Sequence, residues 1–176
     1  MNATDAAALQ ALLDREAIRD CLYRYCRGID RRDEEALRSA YWPDATDRHG
    51  PYQGSAQGFI DWALEKLKGS SARGVHRITN LLIELRGDEA LVESYFDALQ
   101  EERDGQGRLV ETALSGRYLD RFERRHGEWR IQARTVVYDR LRQLPMAGEL
   151  TAEVFGPRQP NGAQRPADPL YAFLGR

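Results

Sequence analysis

The feature that most constrains the fold is a change of hydrophobic period at Gly74. Before it, apolar residues recur at helical spacing, and after it they follow the pattern of strands. The strand-like segments cover residues 75–85, 90–101, 109–124 and 129–141. Because the turns between them are tight, consecutive strands should pair as antiparallel hairpins. This order predicts the α+β class, with N-terminal helices packed on one face of a curved, mostly antiparallel sheet.

The longest predicted helix covers residues 15–29, with Asp14 as its candidate N-cap. Its apolar face consists of Ile18, Leu22, Tyr25 and Ile29. Residues 5–13 form either a short helix of their own or the start of this one.

Two shorter helices follow, and a side chain that favours helix starts precedes each of them. Asp33 is the predicted N-cap of a short second helix, and Ser55 is the predicted N-cap of a third. The third helix has an apolar face of Phe59, Ile60, Ala63, Leu64 and Leu67. Residues 44–54 are polar and rich in turn formers, so we expect a loop there with at most a brief strand; residues 69–74 are the expected exit of the third helix.

Composition limits the classes of protein to which the chain can belong. With 176 residues, 41% hydrophobic and 31% charged, it suits one globular domain with a real core. A formal net charge of −2 and the absence of a basic stripe disfavour nucleic acid as a partner. No apolar run approaches the roughly 18 residues that a membrane span needs. The N-terminus lacks the pattern of a secretory signal, so a cytoplasmic location is expected.

The cysteines and histidines suggest neither a disulfide nor a metal site. Cys21 and Cys26 lie five residues apart on a predicted helix, so they point in different directions and cannot bridge each other. Two cysteines with three histidines do not make a zinc pattern. We therefore expect neither a metal nor a cofactor.

Asp30 is unusual because it follows the last apolar position of the longest predicted helix. A carboxylate at the C-terminal end of a helix is disfavoured by about 0.3–1 kcal/mol, because the helix dipole is negative there. Such a residue is tolerated if it has a partner elsewhere in the fold. We therefore expect the rest of the chain to build a pocket over this helix end and to bring His76, on the first strand, to Asp30.

The order of elements resembles the nuclear-transport-factor-2-like cone, and specific segments resemble its SnoaL-like branch. That branch includes scytalone dehydratase, bile-acid 7α-dehydratase and hexachlorocyclohexane dehydrochlorinase. The resemblance spans residues 14–142. The segments that carry it are REAIRDCLYRYCRGIDRRDEEAL with YWPDA, GVHRITNLLIEL with GDEALVESYF, and GRYLDRFERRHGEWRI.

The resemblance implies four catalytic residues. In dehydratase-like members an Asp at the end of the first long helix pairs with a His on the first long strand, and these positions are Asp30 and His76 here. A Tyr one turn before the Asp corresponds to Tyr25, and an Arg on the last strand corresponds to Arg134. Histidine suits the removal of a proton at neutral pH, and a carboxylate on its other ring nitrogen fixes the tautomer. Tyr25 and Arg134 would stabilise charge that develops on an oxyanion or leaving group.

Polar and aromatic side chains are predicted to line the cavity of this cone. Those on the strands are Asn80, Tyr95, Asp97, Tyr118 and Tyr138. Trp42, Phe59 and Trp62 would supply apolar walls, which suits an aromatic or polycyclic substrate.

The tail after the last predicted strand has a different composition. We divide the chain into a SnoaL-like domain, residues 1–142, and a Pro-rich C-terminal arm, residues 143–176. The apolar cluster of Leu170, Tyr171, Phe173 and Leu174 predicts that the arm docks, either over the mouth of the pocket or on a neighbouring subunit.

Each of these roles has a simpler structural alternative. Asp30 could cap the helix that follows or pair with Arg27 or Arg31. His76 and Tyr25 could be structural, and Arg134 could be an ordinary solvated arginine of the sheet. His49 and His126 fall in predicted loops and are assigned no role.

The sequence-based hypothesis is a cofactor-independent lyase with dehydratase-like chemistry on a hydrophobic aromatic or polycyclic molecule. Alternatives are a C–C lyase that releases formaldehyde from a lignin-derived diaryl compound, an isomerase or cyclase, and a non-catalytic module that binds a hydrophobic ligand. The resemblance also implies a homo-oligomer, either a dimer or a trimer.

Overall fold

The computed structural model describes residues 2–68, 73–146 and 159–175. In chain order the elements are α1 (Ala3–Arg31), α2 (Glu34–Ser39), β1 (Tyr41–His49), β2 (Tyr52–Ser55), α3 (Ala56–Leu67), β3 (Gly74–Arg86), β4 (Glu89–Arg103), β5 (Leu109–Arg125), β6 (Glu128–Pro145) and α4 (Pro169–Phe173). The predicted helix exit at 69–72 and the part of the arm at 147–158 lie outside the described residues.

The strands form one six-stranded sheet in the order β2-β1-β6-β5-β4-β3. Four of the five pairings are antiparallel, and β1 runs parallel to β6. The N-terminal helices pack on one face of this sheet, and the apolar core lies between the two layers. The predicted α+β class, with helices on a mostly antiparallel sheet, is therefore confirmed.

The loop predicted for residues 44–54 is wrong, because most of that segment is strand. β1 pairs with β6 on one side and with β2 on the other, and the turn between β1 and β2 places Gly50 at a φ of +58°. Glycine adopts this left-handed conformation without steric cost. His49 consequently ends a strand instead of lying in a loop.

The first helix is continuous, so Asp14 is not an N-cap. Asn2 caps α1 instead, and its side chain and that of Asp5 each accept from the other residue's backbone N–H. Asp14 lies inside α1 and is buried, where it accepts hydrogen bonds from Trp129 Nε1 at 2.9 Å and from Arg124 Nη1 at 3.0 Å. The carboxylate thus ties α1 to the sheet.

The end of α1 is closely packed against the start of α2. Arg32 adopts the left-handed conformation with φ 51°, and the backbone N–H of Asp33 donates to Gly28 O at 2.9 Å. Asp33 caps α2 by accepting from Ala36 N, as predicted, and Ser55 caps α3 in the same way. A Cβ on Gly28 would lie 2.7 Å from the backbone of Leu37, so the two helices can approach this closely only at a glycine.

The described part of the C-terminal arm docks on its own chain at the junction of α1 and α2. Tyr171 is buried and donates its hydroxyl to Asp33 Oδ2 at 2.9 Å. Arg165 forms an ion pair with Asp33 and donates its backbone N–H to Arg31 O at 2.8 Å. Burial raises the pKa of Asp33, but the Ala36, Tyr171 and Arg165 donors outweigh burial, so the pKa ends below its usual value.

Strand β6 extends to Pro145, three residues beyond the predicted end of the domain at 142. The division into a domain and an arm remains a prediction. Within the described part of the chain, no helix is both long and apolar enough to cross a membrane.

We predict that Gly28→Ala lowers the free energy of unfolding by about 1–3 kcal/mol, because the new Cβ overlaps the backbone of Leu37. This clash outweighs the helix propensity that alanine gains over glycine, about 1 kcal/mol at most. Urea unfolding measures the difference. Gly105→Ala is the control, since a Cβ at Gly105 meets nothing within 4 Å. Wild-type stability in Gly28→Ala would contradict the packing described.

We predict that Tyr171→Phe lowers the free energy of unfolding by about 1–2 kcal/mol at pH 7, because a donor to a buried carboxylate is lost. Burial and the Asp33 carboxylate raise the pKa of Tyr171 from 10.0 to about 12. A group whose pKa is raised in the folded state stabilises the fold fully at pH values below its pKa in the unfolded chain. That stabilisation is lost as the pH rises through its pKa in the folded protein. The difference between wild type and variant should therefore shrink between pH 10 and 12.

Urea unfolding at pH 7 and at pH 11 tests this, with Tyr23→Phe as the control because Tyr23 is 54% exposed. A stability difference that is unchanged at pH 11 would argue against the assigned hydrogen bond.

Candidate active site

The last turn of α1 and the start of β3 bring Asp30 and His76 together. His76 Nδ1 lies 2.6 Å from Asp30 Oδ1, and the His76 backbone N–H donates to Asp30 Oδ2 at 2.9 Å. Both side chains are about nine-tenths buried, with 9% of His76 and 10% of Asp30 exposed. A carboxylate beside Nδ1 favours the proton on that nitrogen and leaves Nε2 as an acceptor. An acceptor nitrogen held in this way can take a proton from a group that reaches it.

The alternative roles considered for Asp30 are not the ones that the structure gives it. Asp33, not Asp30, caps α2. Arg31 forms its ion pair with Asp168 of the arm, not with the Asp30 carboxylate. Both carboxylate oxygens of Asp30 instead accept from His76.

A small polar recess of about 70 Å³ opens beside this pair. Its walls include Arg73, Gln100, Glu101 and Glu102. Sites for drug-sized ligands are typically about 300–1,000 Å³, so this recess can admit water to the pair but cannot hold a polycyclic ligand.

Arg134 lies inside the molecule and forms a bidentate ion pair with Asp120. Its Nε and Nη2 donate to the two carboxylate oxygens at 2.8 and 2.7 Å, and both side chains are fully buried. The guanidinium also lies over the rings of Tyr25 and Tyr118, at 4.2 and 4.0 Å from their centroids. Burial lowers the pKa of Arg134, but the Asp120 carboxylate outweighs this and holds that pKa well above its usual value.

Tyr25 stands beside Arg134 and is buried. Burial raises its pKa far above the usual value for tyrosine, so its hydroxyl stays protonated and can donate at neutral pH. Tyr25 precedes Asp30 by five residues on α1, which is about 7.5 Å along a helix axis. The helix therefore carries both the Asp30–His76 pair and the Tyr25–Arg134 contact.

Three rings form an aromatic patch on the inner face of the sheet, defined as Phe96, Tyr118 and Tyr138. Phe96 and Tyr118 stack with centroids 4.5 Å apart, and Tyr138 meets Phe96 edge-on at 6.3 Å. The predicted inward positions of Tyr118 and Tyr138 agree with this arrangement. Phe59 and Trp62 lie nearby on α3, with their ring centroids 6.2 Å apart.

The predicted cavity positions of Tyr95 and Asp97 are wrong, because both lie on the outer face of β4. Strand residues alternate between faces, and Phe96 takes the inner one. Tyr95 is 41% exposed, and Asp97 is exposed and accepts from Ser115 Oγ. The predicted cavity position of Asn80 is also wrong, because Asn80 is exposed. It lies at an irregularity of β3, where two residues oppose one residue of β4.

Trp42 is buried, and the part of the sheet that it contacts lies far along β5 from the level of His76. The Trp42 Nε1 donates to the backbone oxygen of Glu123, which belongs to β5. His76 pairs with Ala98 of β4, and Ala98 pairs with Leu114 of β5, so His76 is level with Leu114. Nine residues of strand separate those two levels, about 30 Å.

Sequence interpretation missed a second polar group on β1. Tyr41 donates its hydroxyl to Asp47 Oδ2 at 2.6 Å, and His49 Nδ1 lies 3.4 Å from Asp47 Oδ1. Asp47 faces Arg134 in the register between β1 and β6. The signal was the alternation of positions 45, 47 and 49, which is visible only once the segment is recognised as a strand.

No cluster of three or more potential metal ligands occurs in the described ranges.

Comparison with known proteins identifies relatives over most of the chain. A family model described as the SnoaL-like domain matches residues 10–135. Hexachlorocyclohexane dehydrochlorinase 1 of Sphingobium indicum is 31% identical over 130 residues, which cover 70% of this chain and 80% of that protein.

Two solved structures have similar folds. The LinA-type3 hexachlorocyclohexane dehydrochlorinase of Novosphingobium barchaimii is 26% identical, with a TM-score of 0.63 over 81% of this chain and 96% of the other. A scytalone dehydratase-like protein of Novosphingobium aromaticivorans is 20% identical, with a TM-score of 0.66 over 77% of this chain and 91% of the other. The second likeness concerns the fold alone.

We predict that Asp120→Asn lowers the free energy of unfolding by about 3–5 kcal/mol, because it leaves the buried Arg134 charge uncompensated. Urea unfolding measures the loss. Asp88→Asn is the matched control: Asp88 also pairs with an arginine, Arg124, but its side chain is 72% exposed, so the change should stay below about 1 kcal/mol. Equal losses in the two variants would contradict the buried-pair assignment.

Proposed function

The chain belongs to the SnoaL-like domain family, and on that premise we propose that it is a cofactor-independent lyase that eliminates water or a similar small group. The proposed substrate is a hydrophobic aromatic or polycyclic molecule, and the recess of about 70 Å³ beside His76 must widen for such a molecule to reach the pair. The observation that carries the proposal is the 2.6 Å contact between His76 Nδ1 and Asp30, which leaves Nε2 available as a base.

In the proposed reaction, His76 Nε2 removes a proton from the carbon next to the one that bears the leaving group. The electrons of the broken C–H bond form the new double bond, and the leaving group departs with its bonding pair. Asp30 stabilises the imidazolium that forms and keeps the ring oriented. Because Asp30 also binds the His76 backbone N–H, ring and carboxylate are held as one unit.

Tyr25 and Arg134 are proposed to stabilise the negative charge that develops on the leaving group or on a substrate oxygen. Burial keeps the Tyr25 hydroxyl protonated, and a buried donor is more effective than one in water. Arg134 has one guanidinium nitrogen, Nη1, for which no hydrogen-bond partner is found among the described residues. That nitrogen is buried, so a ligand would meet it only by entering the interior beside Tyr25.

Two further observations support the reaction and substrate classes. The Sphingobium indicum relative is named a dehydrochlorinase, and loss of HCl is an elimination that needs a base but no cofactor. Tyr138, the exposed member of the aromatic patch, offers a ring to a flat apolar ligand.

A screen of hydroxylated aromatic and polycyclic compounds, with hexachlorocyclohexane included, tests the proposal by mass spectrometry. Dehydration appears as the loss of water. Released aldehyde would indicate C–C cleavage, and deuterium uptake without loss of mass would indicate isomerisation.

On any substrate found, we predict that His76→Gln lowers kcat by about 10²–10⁴-fold, because the base is lost. Asp30→Asn should also lower kcat, because the amide no longer stabilises the imidazolium. His126→Asn is the control, since His126 lies in the turn between β5 and β6 with φ 55°, a conformation that Asn tolerates. Wild-type turnover in both dyad variants would refute the mechanism, and tight binding without turnover would favour a ligand-binding module.

A further inference from the structure

The molecule contains a second His–Asp pair, formed by Asp47 and His49 of β1. Asp47 is 1% exposed, and its Oδ2 accepts the Tyr41 hydroxyl at 2.6 Å. The other carboxylate oxygen, Oδ1, lies 3.4 Å from His49 Nδ1. Neither Oδ1 nor Nδ1 has an aligned hydrogen-bond partner within the described ranges, and the two atoms face each other at that 3.4 Å distance.

This arrangement determines which nitrogen of His49 can meet a ligand. A carboxylate beside Nδ1 favours the tautomer with the proton on that nitrogen, which makes Nε2 a hydrogen-bond acceptor. The His49 side chain is 18% exposed although Nδ1 is buried, so its exposed surface lies on the rest of the ring. His49 is therefore suited to accept a hydrogen bond from an O–H or N–H group.

The surroundings of His49 are aromatic. Its ring stacks on Phe59 with centroids 4.4 Å apart and 16° between planes, and it meets Tyr138 edge-on at 6.3 Å. Tyr138 belongs to the aromatic patch and contacts Phe96 within it. Phe96 and Tyr118 are buried, whereas Tyr138 is 43% exposed, so the acceptor stands beside one exposed aromatic ring.

The register of the sheet separates this pair from the first one. Ile78, Phe96, Gly116 and Tyr138 form one row across four strands. His76 lies two residues to one side of that row, on β3. Continued by one residue, the pairing of Arg48 with Thr135 places His49 level with Val136, on the other side of the row. Two groups on opposite sides of this row can contact different parts of one ligand.

We propose that His49, positioned by Asp47, binds a phenolic hydroxyl at the end of an aromatic ligand that lies farthest from His76. Phenol supplies what this site lacks, namely a donor on an aromatic ring. The aromatic nature of the ligand rests on the proposed function, but the hydrogen bond requires no turnover. His49 is thus a specificity-determining residue and not a second catalytic base.

A purely structural role for His49 makes a different prediction. If the ring only fills space against Phe59, replacement by phenylalanine should leave ligand preference unchanged. His49→Phe keeps an aromatic ring for that stack and removes both nitrogens, so it separates packing from hydrogen bonding.

The test is equilibrium binding of 2-naphthol and 2-methoxynaphthalene to the full chain, measured by titration calorimetry. The two probes share a ring system, but only the naphthol can donate. Wild type should bind the naphthol about tenfold more tightly, the effect of one hydrogen bond to a carboxylate-backed acceptor. His49→Phe should bind the two probes equally and keep the wild-type affinity for the methoxy compound.

Two further variants complete the experiment. Asp47→Asn should reduce the preference for naphthol, because a neutral amide polarises the imidazole less. Arg48→Gln is the control: Arg48 adjoins both residues but is exposed on the other face of β1, so the preference should stay at the wild-type level.

The proposal is overturned if His49→Phe retains the naphthol preference, or if wild type does not discriminate between the probes, including by binding neither. His76→Gln distinguishes this failure from failure of the lyase proposal. That variant should lose turnover and keep the naphthol preference, because its side chain acts at the other end of the ligand.

Discussion

The buried ion pair between Arg134 and Asp120 is the interaction on which the interior depends. Moving two charges out of water costs several kcal/mol per ion, so such a pair persists only where other contacts replace the water. Here two hydrogen bonds and the faces of Tyr25 and Tyr118 do so. Because Tyr25 belongs to α1 and the other three residues belong to β5 and β6, the pair also determines how closely the long helix approaches the sheet.

The position of the helix then determines the position of the Asp30–His76 pair. An α-helix is stiff over one or two turns, so placing Tyr25 against Arg134 also places Asp30, five residues later, next to β3. The C-terminal arm holds the same helix end from the other side, through Tyr171 and the buried carboxylate of Asp33. The disfavoured carboxylate at the end of α1 is thus compensated by His76 and supported by contacts on both sides.

Features that depend on the spacing of residues near one another in the sequence were predictable from the sequence, including the long strands and the helix end that carries Asp30. The face of the sheet on which a side chain lies was not predictable at every position, because it depends on irregularities in strand pairing. From the inward Ile131, strict alternation would turn Arg134 outward, but the extra residue Gln132 in β6 brings it inside. A similar irregularity exposes Asn80. The hairpin of β1 and β2 was missed because inward positions of β1 carry polar side chains, which give no hydrophobic alternation.

The two His–Asp pairs differ in how firmly each imidazole is held, and this difference fits different tasks. Both oxygens of Asp30 bind His76, one through the ring at 2.6 Å and one through the backbone, so ring and strand move together. One oxygen of Asp47 accepts from the Tyr41 hydroxyl, and the other lies 3.4 Å from His49 Nδ1. The His49 ring is therefore oriented largely by stacking on Phe59. A base must meet one C–H bond at a fixed angle, whereas a residue that recognises a hydroxyl can adjust to it. The firmly held imidazole therefore suits proton transfer, and the more loosely held one suits recognition.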